Sequence, residues 1–279
     1  MTDFYKISGG GNDFLALAEP DETPPPERIR AWCRRGVSVG ADGLFILRRS
    51  PEAATAMVVM DYYNADGFPA DLCLNGTRCA AQLAFHLGWA ESAVEVRTGA
   101  GPVAARRLDG ESVRLELPAP ETPRALTVEV GECGGIACAG FRLRVGVPHF
   151  VLAWEELENA PVRELGGALR RHAIFEPEGT NVNFVRYPAE HRMEIRTFER
   201  GVEDETLACG TGVLAGVAVG LAAGRLAFPV RVLTRGGFEL DVDRAPGGTS
   251  WLLGGDARVV AAGALLPPAD VEPAPPAWV

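Results

Sequence analysis

Two cysteines, Cys73 and Cys209, stand at the start of apolar stretches that are typical of buried helices. The first stretch reads LNGTRCAAQLAFHLG and the second GTGVLAGVAVGLAAG. A thiol at a helix N-terminus lies at the positive end of the helix dipole, which favours the thiolate. The N–H groups of the same first turn bind anions, so each cysteine is predicted to lie beside an anion-binding site.

The segments that lead to the two cysteines also match. Each has a strand-like run followed by a polar, acidic loop, MDYYNADGFPADLC in the first half and IRTFERGVEDETLAC in the second. The pattern of strand, acidic loop, cysteine and buried helix therefore occurs twice, and we interpret it as two similar halves that meet face to face. Both helices are predicted to end at a glycine, Gly88 and Gly224, since glycine suits a left-handed cap.

Two such helices directed at one cleft would suit the exchange of a proton on a carbon next to a carboxylate. Removing that proton places negative charge on the carboxylate, and preorganised N–H donors stabilise such charge. One sulfur would accept the proton from one face while the other donates a proton to the opposite face, which needs one thiolate and one thiol. The first-turn donors would be Leu74, Asn75, Gly210 and Thr211.

Composition restricts the class of protein. The 279 residues carry a formal net charge of −10, which makes nucleic acid and anionic membranes poor partners. The start, MTDFYKISGGGNDF, lacks the features of a secretory signal, and the longest apolar stretch, 208–223, is too short to span a bilayer. A cytoplasmic enzyme is therefore expected.

Residue counts also argue against the common cofactors. Lys6 is the only lysine and lies in a strand-like start, which argues against a pyridoxal-phosphate enzyme. The six cysteines form no CxxC pair and the four histidines are scattered, so no metal site is expected. The remaining cysteines are interpreted as structural: Cys33, Cys79, Cys133 and Cys138.

The chain resembles the diaminopimelate epimerase family along nearly its whole length. The matching segments are KISGGGNDF (6–14), GADGLFIL (40–47), NADGFPADLCLNGTRC (64–79), VPHFV (147–151), NVNF (181–184) and ERGVEDETLACGTG (199–212). The resemblance implies an α+β fold of two pseudo-symmetric domains, each a curved, mostly antiparallel, barrel-like sheet around a central buried helix. We expect one domain over 1–118 with about 263–279, and the other over 119–262.

The resemblance also implies roles for individual residues. Cys73 and Cys209 would be the acid/base pair, with His149 and Glu199 near the thiols and influencing their protonation. The N–H groups of Leu74, Asn75, Gly210 and Thr211 would hold the reacting carboxylate, and the rest of the substrate would be held by Asn12, Asn64, Asn181 and Arg200. The implied reaction converts LL-diaminopimelate to the meso form, for lysine and peptidoglycan synthesis, without a cofactor and in a homodimer.

Two positions depart from the family pattern. Leu74 stands where the family has glycine, and its side chain would be strained if the site required a positive φ. Val147 replaces an asparagine that would contact the distal end of the substrate. Epimerisation of another amino acid on the same fold, or a non-catalytic amino-acid-binding relative, therefore stays open; proline-racemase and phenazine-type isomerases fit the motifs less well.

Residue patterns predict mostly strands. Amphipathic helices are expected over Pro26–Arg35 and Glu158–His172, and the Pro-rich tail from Pro267 is expected to be extended or disordered. The strands are predicted over Ala56–Tyr63, Ala93–Arg97, Ser112–Leu117, Phe141–Val147, Phe150–Trp154, Asn181–Tyr187, Met193–Glu199, Val230–Thr234, Phe238–Val242 and Trp251–Leu253.

Overall fold

The structure is a computed structural model that describes residues 2–50, 56–131 and 135–270. These residues divide into two compact units: one comprises the chain up to Val113 together with the residues from Asp256 on, and the other is Arg114–Gly255. The divisions predicted from the sequence, at 118/119 and about 262/263, stay a prediction. Both divisions of the structure fall inside strands, β7 (Ser112–Pro118) and β16 (Ser250–Asp256), rather than in a loop between elements.

The first unit contains two helices that each connect a pair of parallel strands. Strand β2 runs parallel to β3 and β4 parallel to β5, whereas the pairs β1–β2, β3–β4, β5–β6 and β1–β17 are antiparallel. The elements are β1 (Thr2–Gly9), β2 (Asn12–Ala18), α1 (Pro26–Cys33), β3 (Gly43–Arg49), β4 (Met57–Asn64), α2 (Leu74–His86), β5 (Ala93–Thr98), β6 (Gly101–Arg107) and β17 (Arg258–Leu265).

The second unit is built in the same way. Strand β10 runs parallel to β11 and β12 parallel to β14, and the other pairs, among them β8–β9, β9–β10, β11–β12 and β14–β15, are antiparallel. The elements are β8 (Arg124–Val130), β9 (Ile136–Val145), β10 (Val147–Ala153), α3 (Val162–Arg170), β11 (Asn181–Ala189), β12 (Arg192–Glu199), β13 (Asp204–Thr206), α4 (Gly210–Ala222), β14 (Val230–Thr234), β15 (Glu239–Arg244) and β16.

The two units therefore repeat one order of strand pairs. Each begins with an antiparallel pair, continues through a helix to a parallel strand, adds an antiparallel strand, and then crosses through a second helix to another parallel strand. That second helix is α2 in one unit and α4 in the other. The predicted α+β fold with an internal repeat is confirmed.

Each of these second helices packs against strands of its own unit. Helix α2 contacts strands β1 to β6 and β17, so the sheet must curve around it, and α4 contacts β9 to β12. Every residue from Leu74 to Phe85 is buried, as are nearly all residues of α4, in agreement with the predicted buried helices. Both helices also end alike: Gly88 (φ 70°) and Gly224 (φ 65°) follow the last turn in the left-handed conformation.

Several predicted boundaries need correction. The expected strand Phe141–Val147 is interrupted at Gly146, whose φ of 69° turns the chain from β9 into β10. The expected helix over Glu158–His172 is a 3-10 turn at Leu157–Asn159 followed by α3, because Pro161 separates them. Within the tail, Pro267–Asp270 forms a 3-10 turn rather than an extended segment. Cys133 lies outside the described residues.

Candidate functional site

Cys73 is the N-cap residue of helix α2. Its backbone is extended (φ −135°, ψ 106°), and its Sγ accepts a hydrogen bond from the Gly76 N–H at 3.4 Å. The helical ladder starts with the Thr77 N–H, which donates to the Cys73 carbonyl at 2.7 Å. The N–H groups of Leu74 and Asn75 therefore precede the ladder and lie at the positive end of the helix dipole, beside the sulfur.

Cys209 caps helix α4 in nearly the same backbone conformation (φ −124°, ψ 109°). Its Sγ lies 3.3 Å from the hydroxyl of Thr211, and the ladder starts with the Val213 N–H donating to its carbonyl at 2.9 Å. The N–H groups of Gly210 and Thr211 thus occupy the positions that Leu74 and Asn75 occupy in the first unit.

The acidic residues Asp204 and Glu205, which precede the second helix, do not cap it. Asp204 accepts the Glu205 N–H and pairs with Arg163, while Glu205 receives two hydrogen bonds from Arg196 at 2.6 and 2.9 Å. Both carboxylates are therefore committed to strand β13 and its neighbours, and Cys209 is the residue at the cap.

Leu74 does not carry the strain that its place in a glycine position suggested. Among the described residues only Glu19 and Glu203 combine a side chain with a positive φ, so Leu74 has ordinary helical geometry. Its side chain is buried as the first residue of α2. Leucine at this position therefore leaves the first-turn N–H in place.

Asn12 and Asn75 lie next to each other in the first unit. The Asn75 Nδ2 donates to Asn12 Oδ1 at 2.8 Å, and the Asn12 Nδ2 donates to Asp42 Oδ2 at 3.0 Å. Asn12 follows the turn of Gly10 and Gly11, whose φ values of 60° and 91° explain the glycines of the GGGN run. The turn thus brings Asn12 to the start of the helix that Cys73 caps.

Asp13, which follows Asn12, is the ion-pair partner of Lys6, the only lysine of the chain. Lys6 donates to the Gly40 carbonyl and forms an ion pair with Asp13, which Arg35 also contacts. Burial alone would raise the pKa of Asp13, but the hydrogen bonds from Arg35 and Lys6 hold it below its usual value. Lys6 is therefore committed to a structural ion-pair cluster.

Asn64 ends strand β4, where its backbone closes a tight turn. The Asn64 N–H donates to the Phe68 carbonyl, and the Gly67 N–H donates to the Asn64 carbonyl, both at 2.9 Å. These two backbone hydrogen bonds give Asn64 a structural role in the turn. A contact from its side chain to a substrate stays a prediction.

His149 is fully buried on strand β10 in the second unit. Its Nδ1 lies 3.1 Å from Asn183 Nδ2, which also donates to the Phe150 carbonyl, so Nδ1 acts as the acceptor and the imidazole is neutral. Burial and the positive charge of Arg200 lower the His149 pKa to about 3, against the opposing effect of Asn183. The other nitrogen, Nε2, is a buried donor without a partner among the described residues.

Asn183 connects this histidine to the helix of the second cysteine. Its Oδ1 accepts from the Thr197 hydroxyl at 3.0 Å and lies so close to Gly212 that an added Cβ would be only 2.3 Å away. Gly212 is the third residue of α4, so the Cys209 end of the helix rests directly on the Asn183 amide. Sequence reasoning missed Asn183, although it lies within the NVNF segment.

Asn181, Glu199 and Arg200 lie where strands β11 and β12 meet. The Asn181 side chain accepts the Arg200 N–H at 2.7 Å, and the Arg200 guanidinium donates to the Glu178 carbonyl. Glu199 accepts from the Thr206 hydroxyl at 2.9 Å. Asn181 also pairs in register with His149, so these predicted residues are neighbours within the second unit.

The other described cysteines fit the structural interpretation. Cys33, Cys79 and Cys138 are buried and not in disulfides. Burial raises the pKa of Cys33 to about 12 and raises the pKa of Cys79 further, so both stay protonated at neutral pH. Within residues 2–50, 56–131 and 135–270, no cluster of three or more His, Cys, Asp and Glu side chains could hold a metal ion.

Arg78 is the residue near Cys73 that sequence reasoning overlooked. It is fully buried in α2, one turn beyond the cap, and its Nη2 donates to Asn75 Oδ1 at 2.6 Å. A charged residue inside an otherwise apolar helix pattern was the available signal.

Among the described helices, none is sufficiently long and apolar to cross a membrane.

Comparison with known proteins points to one family. The family described as diaminopimelate epimerase matches residues 4–116 and 141–250 of the chain. The diaminopimelate epimerase of Aquifex aeolicus is 38% identical over 253 residues, which is 86% of this chain and 89% of that protein. The diaminopimelate epimerase of Chlorobaculum tepidum is 38% identical over 242 residues, covering 85% and 90%.

A solved structure supports the fold. A probable proline racemase from Agrobacterium radiobacter K84 superposes with a TM-score of 0.70, covering 97% of this chain and 96% of that one. The two sequences are 16% identical, so this similarity concerns the fold.

Proposed function

The chain belongs to the diaminopimelate epimerase family and is an isomerase that epimerises an amino acid, and we propose that Cys73 and Cys209 exchange the Cα proton of LL-diaminopimelate. One observation carries the proposal. Within each of two units with the same strand order, a cysteine caps the buried central helix in the same backbone conformation.

The proposed reaction moves two protons and no other group. The thiolate of one cysteine removes the Cα proton and becomes a thiol, and the electron pair left on Cα delocalises into the carboxylate. The thiol of the other cysteine then donates its proton to the opposite face of Cα and becomes the thiolate. The configuration is inverted, and the two sulfurs have exchanged protonation states, so the reverse reaction uses the same pair.

The negative charge that develops on the carboxylate needs donors. The first-turn N–H groups of Leu74 and Asn75, and of Gly210 and Thr211, precede the helical ladders and can supply them. Donors fixed before the reaction cost no reorganisation during it, and losing one such donor typically reduces a rate about 100-fold or more. They provide the stabilisation that a cofactor supplies in other racemases.

His149 and Glu199 are proposed to assist through charge and hydrogen bonding. With its pKa lowered to about 3 by burial and by Arg200, His149 is neutral at physiological pH and cannot serve as a cationic acid. Its Nε2–H is nonetheless a donor available to a ligand. Asn12, Asn64, Asn181 and Arg200 are proposed to hold the non-reacting part of the substrate.

One position departs from the family pattern where the substrate would bind. Val147 begins strand β10, two residues before His149, and offers no side-chain hydrogen bond where the family pattern has asparagine. A different basic or polar amino acid is therefore the second candidate substrate. We also propose that the enzyme works in the cytoplasm as a homodimer.

Exchange in deuterium oxide tests the function. The protein is incubated with LL-diaminopimelate, lysine, ornithine, arginine, histidine and glutamate, and loss of the Cα proton is followed by NMR together with the stereochemistry. We expect deuterium incorporation and inversion with LL-diaminopimelate at the highest kcat/KM. A higher kcat/KM with another of these amino acids would identify that amino acid as the substrate. Exchange with none of them would contradict the proposed activity.

Cysteine variants test the mechanism. Cys73→Ala and Cys209→Ala should each reduce inversion at least about 1,000-fold, because a missing acid or base interrupts one of the two proton transfers. Cys33→Ala and Cys138→Ala are the matched controls, since each removes a buried thiol from one of the units. Inversion that persists in either of the first two variants would contradict the two-cysteine mechanism.

A further inference from the structure

Three buried polar side chains form a hydrogen-bonded group in the second unit. His149, Asn183 and Thr197 are each at most 3% exposed and lie on the adjacent strands β10, β11 and β12. The Asn183 Nδ2 lies 3.1 Å from His149 Nδ1 and donates to the Phe150 carbonyl at 3.3 Å, and the Asn183 Oδ1 accepts from the Thr197 hydroxyl at 3.0 Å. Asn183 is therefore the central member of the group.

The backbone fixes the orientation of the Asn183 amide. A peptide carbonyl only accepts hydrogen bonds, so the amide nitrogen must face the Phe150 carbonyl, and the amide oxygen then faces the Thr197 hydroxyl, which can donate. The second hydrogen of the same nitrogen is directed at His149 Nδ1. A proton on Nδ1 would meet this N–H, so Nδ1 must be the acceptor.

The proton of the neutral imidazole must then lie on Nε2. A neutral histidine carries one proton on either ring nitrogen, and the hydrogen bond made by one nitrogen decides the state of the other. Among the described residues Asn183 is the only side chain bonded to a ring nitrogen of His149, because Nε2 has no partner there. Burial and Arg200 lower the His149 pKa to about 3, so at neutral pH the ring differs only in its tautomer.

We propose that Asn183 is a positioning residue that holds His149 in the Nε2–H tautomer, so that Nε2 donates to a carboxylate oxygen of the substrate. A buried donor without a partner is costly, and a ligand that supplies the acceptor removes this cost on binding. The opposite tautomer would present a lone pair to the same oxygen and repel it. This role rests on the proposed function.

The surroundings of His149 favour a negatively charged acceptor. Asn181, its register partner on β11, accepts the backbone N–H of Arg200, whose positive charge acts on the imidazole. The Asn183 oxygen lies against Gly212 in the first turn of α4, where the helix dipole is positive. A carboxylate is the group of an amino-acid substrate that such surroundings stabilise.

The ¹⁵N shifts of the imidazole nitrogens report the tautomer without turnover, because a protonated and an unprotonated ring nitrogen resonate far apart. Spectra of ¹⁵N-histidine-labelled protein are recorded at about pH 8.5, about two units above the usual histidine pKa. The His149 signals are assigned by their loss in His149→Gln. We expect an unprotonated Nδ1 and a protonated Nε2.

Two other histidines provide references for the two tautomers in the same spectrum. His172 Nδ1 accepts the Ile174 N–H at 3.2 Å, so its proton should lie on Nε2. His191 Nδ1 lies 2.8 Å from the Ala227 carbonyl, which can only accept, so its proton should lie on Nδ1. The His149 pattern should match that of His172 and be the reverse of that of His191.

Variants of Asn183 test whether it selects the tautomer. Asn183→Leu removes the donor at similar size, so both His149 nitrogens should move towards tautomer-averaged shifts. Asn183→Asp replaces the donor with an acceptor, so the His149 pattern should become that of His191. Thr197→Val is the matched control: it removes another hydrogen bond of the same amide but leaves the Phe150 carbonyl to orient it, so the His149 signals should stay in place.

Binding and kinetics test the link to the substrate. Saturating LL-diaminopimelate should shift the His149 Nε2–H proton signal downfield, because the donor gains an acceptor. Asn183→Leu should lower kcat/KM about tenfold, as expected for a lost hydrogen bond to a charged group, and Thr197→Val should leave it near the wild-type value. In a His149→Gln background, Asn183→Leu should have a much smaller effect, because Asn183 acts through the imidazole.

The outcomes separate this inference from the proposed function. His149 signals that stay in place in both Asn183 variants, or move as far in Thr197→Val, would overturn the selection of the tautomer by Asn183. If Asn183→Leu fails to fold, Asn183→Asp tests the same selection. A tautomer that changes without a change in kcat/KM, or an Nε2–H signal that LL-diaminopimelate leaves in place, would overturn the role towards the substrate. A wild-type protein that exchanges no substrate proton would contradict the proposed function, and the spectra would still decide the tautomer.

Discussion

Cys73 and Cys209 have equivalent places in the two units but different surroundings. The first lies on a helix that contains the buried Arg78 and the polar Asn75 and Gln82. The second lies on a helix with no charged residue, GTGVLAGVAVGLA, supported by the neutral pair His149 and Asn183. The two cysteine caps share one backbone geometry, but only the first helix carries a buried charged side chain, Arg78.

Under the proposed two-cysteine mechanism, this difference would let a repeated scaffold serve an asymmetric reaction. Proton exchange between two thiols needs one thiolate and one thiol at the outset. Two identical helix N-termini would favour the same protonation state at both sulfurs. In that mechanism, the buried cation of one unit and the neutral imidazole of the other would provide the asymmetry, while the shared backbone places N–H donors beside both sulfurs.

The largest effect that separates the units is expected at the third residue of each helix. Gly212→Ala would place a Cβ 2.3 Å from Asn183 Oδ1, within the hydrogen-bonded group that supports His149. It should lower the free energy of unfolding by about 2–3 kcal/mol, because a buried amide must move. Gly76→Ala would meet the terminal methyl of Met60 at 3.0 Å and would otherwise touch the Cys73 side chain only at ordinary van der Waals distances, 3.4 Å to Cβ and 3.5 Å to Sγ.

Gly76→Ala is thus the matched variant in the first unit. Moving the flexible Met60 is offset by the helix preference of alanine, so the change should stay below about 1 kcal/mol. Urea unfolding of both variants measures the difference. Equal destabilisation would mean that the close support of α4 by Asn183 does not distinguish the two helices.

The second prediction concerns His149 and pH. Its folded-state pKa of about 3 lies below the usual 6.5, so the unfolded chain binds one more proton between these values. Stability from this group is complete above pH 6.5 and is lost as the pH falls, by about 1.4 kcal/mol per pH unit until the folded-state pKa is reached. Urea unfolding between pH 7 and 4 measures the slope.

His149→Gln provides the reference for this slope. Glutamine keeps an amide that can bond to Asn183 but does not titrate in this range. The variant should therefore lose less stability per pH unit than the wild type, by about 1.4 kcal/mol below pH 6. Identical slopes would mean that His149 is not the neutral, buried group that distinguishes the second unit.

Much of the fold follows from the sequence because the repeat is visible in it. The cysteine-capped helices, their glycine ends and the strands that precede them are marked by apolar runs and turn residues. The strands absent from the prediction lack such marks. Strands β2 and β3 contain continuous apolar runs, which a buried helix could also have, and β6 and β17 are rich in Ala, Gly and Arg, which have little strand preference.

The site was predicted less completely, for a physical reason. Motif residues such as Asn12 and Asn75 are recognisable by type and order, but their partners are distant in sequence. Arg78, Asp42 and Asn183 reach Asn75, Asn12 and His149 through hydrogen bonds that only the packing of strands and helix brings about. Likewise, Leu74 is unstrained because its φ is helical, and the residue type alone does not predict that φ.

The smallest effect, and the most direct measure of asymmetry, is expected from alkylation of the two thiols. At neutral pH, Cys73 should react with iodoacetamide several-fold faster than Cys209, since nearby positive charge favours the thiolate. Cys73 is also partly exposed, whereas Cys209 is 6% exposed. Peptide mass spectrometry after short exposures gives both rates in one sample. In Arg78→Met the rate at Cys73 should fall towards that at Cys209, and Arg78→Lys should keep most of the difference because it keeps the charge. Equal rates in the wild type, or a ratio that Arg78→Met leaves unchanged, would show that the buried guanidinium does not set the first thiol apart from the second.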